Sequence, residues 1–172
     1  APRGTRATGR VVFLRARQGG AHGACVRGRG RRVGRGGRSD DVHSVASFFV
    51  ARVDSAVDKQ LPDDSPLRGR AAIANAKLAY QEYKKLLSGA RWEKLKAKGA
   101  QPQRLLWAST GTKSKEYRDT VYIEELIGPN TVNTVPPATL DAFRDHGLLR
   151  DSLEEDIEGA RQVLADLEKT GI

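Results

Sequence analysis

Short apolar runs and amphipathic helical patterns alternate three times along residues 43–172. Each run is short enough to form a buried strand, and apolar residues recur every three or four positions in the stretches after it. The runs cover residues 43–50, 104–109 and 130–135. Apolar strands that alternate with helices are typical of parallel sheets, because a parallel connection needs a crossover as long as a helix. The pattern therefore predicts an α/β fold with three parallel strands.

Two of the helical patterns are strong. Ala72, Ala76, Ala79, Tyr83 and Leu86 form one apolar stripe, and a second stripe repeats the same spacing, through Leu153, Ile157, Ala160, Leu164 and Leu167. Weaker patterns predict shorter helices over residues 51–58, 92–98, 117–126 and 139–146. Three strand–helix units are too few to close a barrel of eight strands. The body is therefore either a small three-layer domain or part of a larger (β/α) barrel.

The first 41 residues differ from the rest in composition. They carry 11 arginines, no lysine, two acids and 10 of the 18 glycines, so they hold the whole net charge of +9. The remaining residues carry 19 bases and 19 acids. We therefore divide the chain into an arginine- and glycine-rich arm, residues 1–42, and a body, residues 43–172. Few apolar groups are present to offset the entropic cost of ordering so many glycines, which predicts that the arm is disordered.

Two origins of the arm stay open. An arginine/glycine tail can neutralise nucleic-acid phosphates, but such tails usually contain aromatic residues for base stacking, and here Phe13 stands alone. We therefore do not expect nucleic acid as a partner and keep it as the alternative function. The absence of Lys, Ile and Asn beside abundant Arg and Gly is also what a GC-rich gene gives when it is translated out of frame, and we favour that origin.

Membrane attachment and metal binding have little support in the sequence. No run of 18 apolar residues occurs, and the N-terminal residues lack a signal-peptide core, so we expect the cytoplasm as the compartment. The single cysteine, Cys25, cannot form an internal disulfide, and the three histidines have no metal-ligand spacing. We expect no metal and no cofactor. We also expect Glu124 and Glu125 to lie on a solvated helix face.

Polar residues gather where the predicted strands end. The first strand presents Ser47, Phe49 and Arg52, the second presents residues 109–113, from Ser109 to Lys113, and the third presents Asn133 and Thr134. In α/β folds the chemistry lies at the carboxyl ends of the strands. Hydroxyl groups, a glycine turn and two cations are the groups that bind a phosphate. The alternative is that Arg52 and Lys113 are solvated residues at the start of surface helices.

Four segments carry a family resemblance. The body resembles transaldolase, in the long bacterial form typical of actinobacteria, through residues 44–54, 69–80, 103–113 and 130–136. The resemblance covers residues 43–172 and none of the arm. It implies that the three strands are the last three of a (β/α)8 barrel, so that the chain is an incomplete TIM barrel.

The resemblance also implies a function. Transaldolases of the pentose phosphate pathway transfer a dihydroxyacetone unit from sedoheptulose 7-phosphate to glyceraldehyde 3-phosphate, giving erythrose 4-phosphate and fructose 6-phosphate. A lysine Schiff base carries the unit, and no cofactor is needed. The family's substrate-site residues fall on Ser47, on Phe49, which lines the pocket, and on Arg52 and Ser109, which contact the phosphate. Many members have an arginine where this chain has Gly111, and Lys113 is our candidate for the missing charge.

The catalytic residues of the family have no counterpart here. The Schiff-base lysine lies in a fourth-strand segment like Ile-Lys-Ile-Pro-Ala-Thr, which does not occur in this sequence. We therefore assign no catalytic residue and expect a fragment that is inactive alone. Two rival hypotheses stay open: a nucleic-acid-binding protein that acts through the arm, and a small sugar-phosphate-binding domain that is complete in itself.

Overall fold

The computed structural model describes residues 43–172, and the predictions made for the arm lie outside the described residues. Three strands form one parallel sheet in the order β1-β2-β3. The strands are β1 (Val45–Phe49), β2 (Arg104–Ala108) and β3 (Thr131–Asn133). The helices are α1 (Ala51–Val57), α2 (Ala71–Leu86), α3 (Ala90–Lys96), α4 (Val121–Glu124), α5 (Pro137–His146) and α6 (Ile157–Lys169). The predicted α/β class, with a small parallel sheet and helices, is confirmed.

Helices cover one face of the sheet. In the register of β1 and β2, Phe48 lies beside Trp107, and their rings meet edge to face with centroids 5.7 Å apart. Both side chains belong to a buried cluster with Leu105 and the alanine stripe of α2. Alternate residues of a strand point to opposite faces, so these apolar positions fix which face the helices cover.

A second apolar cluster joins the two long helices. Leu78 of α2 packs with Val163 and Leu167 of α6, and all three are buried. The small side chains of Ala71, Ala74 and Ala160 let the two helices approach closely. The last helix therefore packs on α2 through Ala160, Val163 and Leu167, whereas Leu153 of the predicted stripe lies before the helix and belongs to the first cluster.

The opposite face of the sheet is half open. Val45 is 41% exposed, Ser47 is exposed, and Phe49, Leu106 and Val132 are half-buried. Neither core cluster of the described residues includes these five side chains. Parallel sheets usually bury both faces, so this face has the character of a surface that packs against further structure.

The predicted helix over residues 117–126 is much shorter in the structure. Only Val121–Glu124 are helical, because side-chain bonds hold the preceding turn: Arg118 and Thr120 both bond to Glu124 Oε1, at 2.7 and 3.0 Å. Glu124 is 5% exposed, so the expectation that it is solvated was wrong. Its carboxylate also accepts a bond from the Leu148 N–H at 2.9 Å, which replaces the water it loses.

Asp58 and Tyr117 join the end of α1 to the segment after β2. The Tyr117 hydroxyl donates to Asp58 Oδ2 at 2.7 Å, and the Gly69 N–H donates to Asp58 Oδ1 at 3.0 Å. Gly69 has a φ of +68°, and a Cβ there would lie 2.7 Å from the Tyr117 ring, so this close approach needs glycine. Partial burial and the bond to Asp58 raise the pKa of Tyr117 to about 12.

Of the described helices, none combines the length and apolar character needed to cross a membrane.

Replacing Trp107 by alanine tests the main core. Trp107 is fully buried and belongs to the cluster beneath the sheet, whereas Trp92 of α3, at 8% exposed, belongs to neither cluster. We expect Trp107→Ala to lower the free energy of unfolding by about 3–5 kcal/mol and Trp92→Ala to lower it clearly less. Urea unfolding of both variants measures the difference, and equal losses would contradict this account of the core.

The Asp58–Tyr117 bond predicts a loss of stability at alkaline pH. Between the ordinary tyrosine pKa of 10.0 and the folded value of about 12, the unfolded chain loses the Tyr117 proton while the folded chain keeps it. The unfolded state then binds fewer protons, so the free energy of unfolding falls as the pH rises. We expect the stability difference between the wild-type chain and Tyr117→Phe to shrink across this range, as followed by urea unfolding. A difference that is constant with pH would show that Tyr117 does not titrate in this way.

Candidate functional site

The carboxyl ends of β1 and β2 are held together beyond the strands themselves. The Val50 N–H donates to the Ala108 carbonyl at 2.9 Å, and the Ala51 N–H donates to the Ser109 carbonyl at 3.0 Å. These bonds continue the parallel pairing into the first residues of α1. They place Arg52, the next residue, beside the segment that begins at Ser109.

Two of the predicted site residues lie on the half-open face. Ser47 and Phe49 alternate along β1 and pair in register with Leu106 and Ala108 of β2. Ser47 is exposed and Phe49 is half-buried. A ligand at the carboxyl end of the sheet would reach both of them from the open side.

Arg52 lies over Phe49 at the start of α1. Its guanidinium carbon is 4.3 Å from the centroid of the Phe49 ring, a cation–π contact. Arg52 is exposed and makes no ion pair with any described residue. A planar guanidinium that an aromatic ring orients, and that has no acidic partner, is suited to bind an anion.

Ser109 and Thr110, the two residues after β2, differ in backbone conformation and in burial. Ser109 has a φ of +59°, the left-handed conformation that costs a non-glycine residue about 1–2 kcal/mol, and its side chain is partly exposed. Thr110 is fully buried, and its Oγ1 lies 2.8 Å from Asn133 Oδ1 and 3.1 Å from the Thr134 carbonyl. Thr110 and Asn133 therefore bond to each other between neighbouring strand ends, whereas Ser109 stays partly exposed.

Gly111 occupies a narrow space. A Cβ at this residue would lie 3.1 Å from Pro136 Cγ and 3.4 Å from Thr139 Oγ1. Pro136 and Thr139 would have to move by a few tenths of an ångström to admit a side chain. The glycine lets the turn after β2 pack closely against the start of α5.

Lys113 lies in a cleft on the side of α1 that carries its acids. The cleft has a volume of about 200 Å³, and its lining includes Asp54, Asp58, Arg68, Lys113 and Tyr117. Among the described residues, Arg52 is not one of those that line it. Lys113 itself is exposed and has no ion pair within the described body. The two cations thus flank α1 from different sides.

Asp54 and Tyr122 form the buried floor of this cleft. The Tyr122 hydroxyl donates to Asp54 Oδ2 at 2.6 Å, and the Ala72 N–H donates to Asp54 Oδ1 at 2.7 Å. Burial raises the pKa of Asp54, although both hydrogen bonds oppose that change. Burial and the bond to Asp54 likewise raise the pKa of Tyr122. The pair therefore joins α1, α2 and α4 through a single carboxyl group.

The Asp54–Tyr122 and Asp58–Tyr117 pairs were not predicted from the sequence. Asp54 and Tyr122 are 68 residues apart, so no local spacing reveals their contact. The one sequence signal for the Asp54–Tyr122 pair is Asp54 itself, because it is an acid that lies between the apolar residues Val53 and Val57 of a short helix.

Within residues 43–172, no three His, Cys, Asp or Glu side chains are grouped so that they could hold a metal ion.

The comparisons with known proteins agree on one family. A sequence model of the transaldolase/fructose-6-phosphate aldolase family matches residues 15–172. The chain is 56% identical over 138 residues to a transaldolase of Parafrankia sp. (strain EAN1pec), an alignment that covers 77% of this chain and 37% of that protein. It is 46% identical over 162 residues to the transaldolases of Trichodesmium erythraeum and Neisseria meningitidis serogroup A. These alignments cover 87% and 94% of this chain, and 43% and 46% of the relatives.

The family match extends further toward the N-terminus than the resemblance. The matched region begins at residue 15, so the expectation that the family resemblance includes none of the arm was wrong. The division of the chain at residue 42 stays a prediction.

The length of the match limits what the family implies. The chain spans less than half the length of these curated relatives. A match over most of the chain, together with these identities, nevertheless establishes the relationship. The chain belongs to the transaldolase/fructose-6-phosphate aldolase family.

Proposed function

We propose that this chain is the part of a transaldolase that binds the phosphate of the sugar substrates. The whole enzyme would transfer a dihydroxyacetone unit from sedoheptulose 7-phosphate to glyceraldehyde 3-phosphate through a lysine Schiff base, without a cofactor. Family membership supports the reaction class, since the curated relatives are named transaldolases. The cytoplasm stays the expected compartment.

The observation that carries the proposal is the environment of Arg52. This arginine follows the carboxyl end of β1, its guanidinium lies over the Phe49 ring, and the residue before it, Ala51, donates its N–H to the Ser109 carbonyl just after β2. It has no acidic partner among the described residues, so its charge is available to a ligand. In (β/α) barrels, phosphate groups bind at the same edge of the late strands.

We further propose that β1, β2 and β3 are the last three strands of an eight-stranded barrel. Their parallel order and the helices on one face support this arrangement. The half-open face with Ser47 and Phe49 would then be the inner wall of the barrel. The remaining strands would supply the Schiff-base lysine, since this sequence has no segment like that of the family. The chain alone would bind sugar phosphates without transferring the three-carbon unit.

Replacing Arg52 by alanine tests the proposal. We expect the affinity of the full chain for inorganic phosphate to fall by about 10- to 100-fold, because a hydrogen bond to a charged group contributes about 1.5–3 kcal/mol. Isothermal titration calorimetry with inorganic phosphate, and with fructose 6-phosphate against fructose, measures the change. The matched control is Arg91→Ala, which removes the same charge from an exposed residue of α3.

Two outcomes of this comparison are informative. Unchanged affinity in Arg91→Ala, with a large loss in Arg52→Ala, would support the assignment. Equal losses in the two variants would show that the affinity for phosphate depends on net charge and not on Arg52 itself.

The same titration on Lys113→Ala tests whether Lys113 replaces the arginine that the family resemblance implies at position 111. Unchanged affinity in that variant would remove Lys113 from the proposed site.

A further inference from the structure

We propose that Asp54 and Tyr122 are positioning residues that hold α1 where Arg52 can meet a bound phosphate. This inference rests on the proposed function of Arg52 and adds to it the groups that fix its place. Neither residue would touch the phosphate. Their effect would pass through the orientation of α1.

Helix α1 needs such support because it is short. It has seven residues, about two turns, and isolated helices of this length are not stable in water. Its N-cap residue, Val50, offers no side-chain hydrogen bond. The orientation of the helix, and with it the direction of Arg52, therefore depends on tertiary contacts.

Asp54 supplies directional contacts from within the helix, in addition to those that Asp58 makes at its end. It lies two residues after Arg52, is 1% exposed, and uses both carboxylate oxygens, one for the Ala72 N–H and one for the Tyr122 hydroxyl. Hydrogen bonds at 2.7 and 2.6 Å to two different elements fix the rotation of α1 as well as its distance. Apolar packing of Val53 and Val57 alone would fix the distance but leave rotation less defined.

The pair also joins the two connections that carry the proposed phosphate site. Arg52 follows β1, whereas Ser109, Lys113 and Tyr122 all belong to the connection between β2 and β3. The bond from Tyr122 to Asp54 thus crosses from one connection to the other beneath the cleft. A change in this bond would alter how α1 is oriented, and with it the direction of Arg52 relative to the segment that begins at Ser109.

Burial of Asp54 is costly for stability. A carboxylate in an apolar environment costs free energy unless its bonds replace the lost water, and an apolar residue of the same shape avoids that cost. The hydrophobic clusters already join α1 to α2 through Val53, Val57 and the alanines of α2. The hydrogen bonds of Asp54 are therefore better explained by the need to orient α1 than by a gain in stability.

The test compares two tyrosines that each lose one buried hydroxyl. Tyr122→Phe removes the bond to Asp54, and the matched control Tyr80→Phe removes a bond of 3.0 Å from an equally buried tyrosine, at 2% exposed, to the Pro129 carbonyl. We expect Tyr122→Phe to lose more stability in urea unfolding than Tyr80→Phe, because it leaves an oxygen of the buried Asp54 carboxylate without its partner. Only Tyr122→Phe should weaken inorganic phosphate binding, by about three- to tenfold, in calorimetry on the full chain.

A second comparison covers the case in which Tyr122→Phe does not fold. Asp54→Asn keeps an oxygen for the Ala72 N–H and an amide that can donate to the Tyr122 hydroxyl, whereas Asp54→Val keeps the shape and loses both bonds. We expect Asp54→Asn to bind phosphate within about twofold of the wild-type chain and Asp54→Val to bind at least threefold more weakly, roughly the loss of one hydrogen bond.

The outcomes separate this inference from the proposed function. If the wild-type chain binds phosphate and Tyr122→Phe binds it equally well, or if Tyr122→Phe and Tyr80→Phe weaken binding alike, the positioning role is wrong while the phosphate site stands. If Asp54→Asn and Asp54→Val bind alike, the same conclusion follows. If the wild-type chain does not bind phosphate, the proposed function fails and this inference fails with it.

Discussion

The parallel pairing of β1 with β2 determines most of what this chain can do. Because the two strands run in the same direction, their carboxyl ends meet at one edge, and the backbone bonds of Val50 and Ala51 extend the pairing past the strands. Arg52 and Ser109, 57 positions apart in the sequence, are brought to the same edge of the sheet for that reason. An antiparallel arrangement would have put them at opposite edges of the sheet.

The two faces of the sheet have different roles. Phe48, Leu105 and Trp107 pack beneath α2 and give the body its core, while Ser47 and Phe49 lie on the half-open side. The same alternation along β1 therefore provides both the core and two residues of the candidate site. A sheet that is covered on one face agrees with a chain that spans less than half the length of its curated relatives.

The sequence predicts the fold better than it predicts the site. Each predicted strand contains the observed strand, because apolar runs between turn residues are a local signal. The helix over residues 117–126 was overestimated because bonds to Glu124 and Asp58 hold its first half in a turn. Such bonds depend on tertiary contacts, and local periodicity does not report them. The Asp54–Tyr122 pair was missed for the same reason.

The family resemblance suggests roles for Ser47, Phe49, Arg52 and Ser109, and the structure adds where these residues lie. Ala51, the residue before Arg52, bonds to the Ser109 carbonyl, and Lys113 lines the cleft that also contains Asp54. Thr110 and Asn133, which also follow or end strands, bond to each other where Thr110 is fully buried and Asn133 is half-buried. Residue type alone does not separate a partly exposed serine from a buried threonine at the next position.

The proposed phosphate site lies at the carboxyl edge of the sheet, next to Arg52. The most direct measurement is a titration of the isotope-labelled chain with inorganic phosphate, followed through its backbone amide chemical shifts. We expect the largest changes in amide chemical shift at Arg52, Ser109 and Gly111. Val45, Arg104 and Thr131, on the opposite edge, should change little. Shifts that are largest at that opposite edge, or spread evenly over the body, would contradict the proposed site.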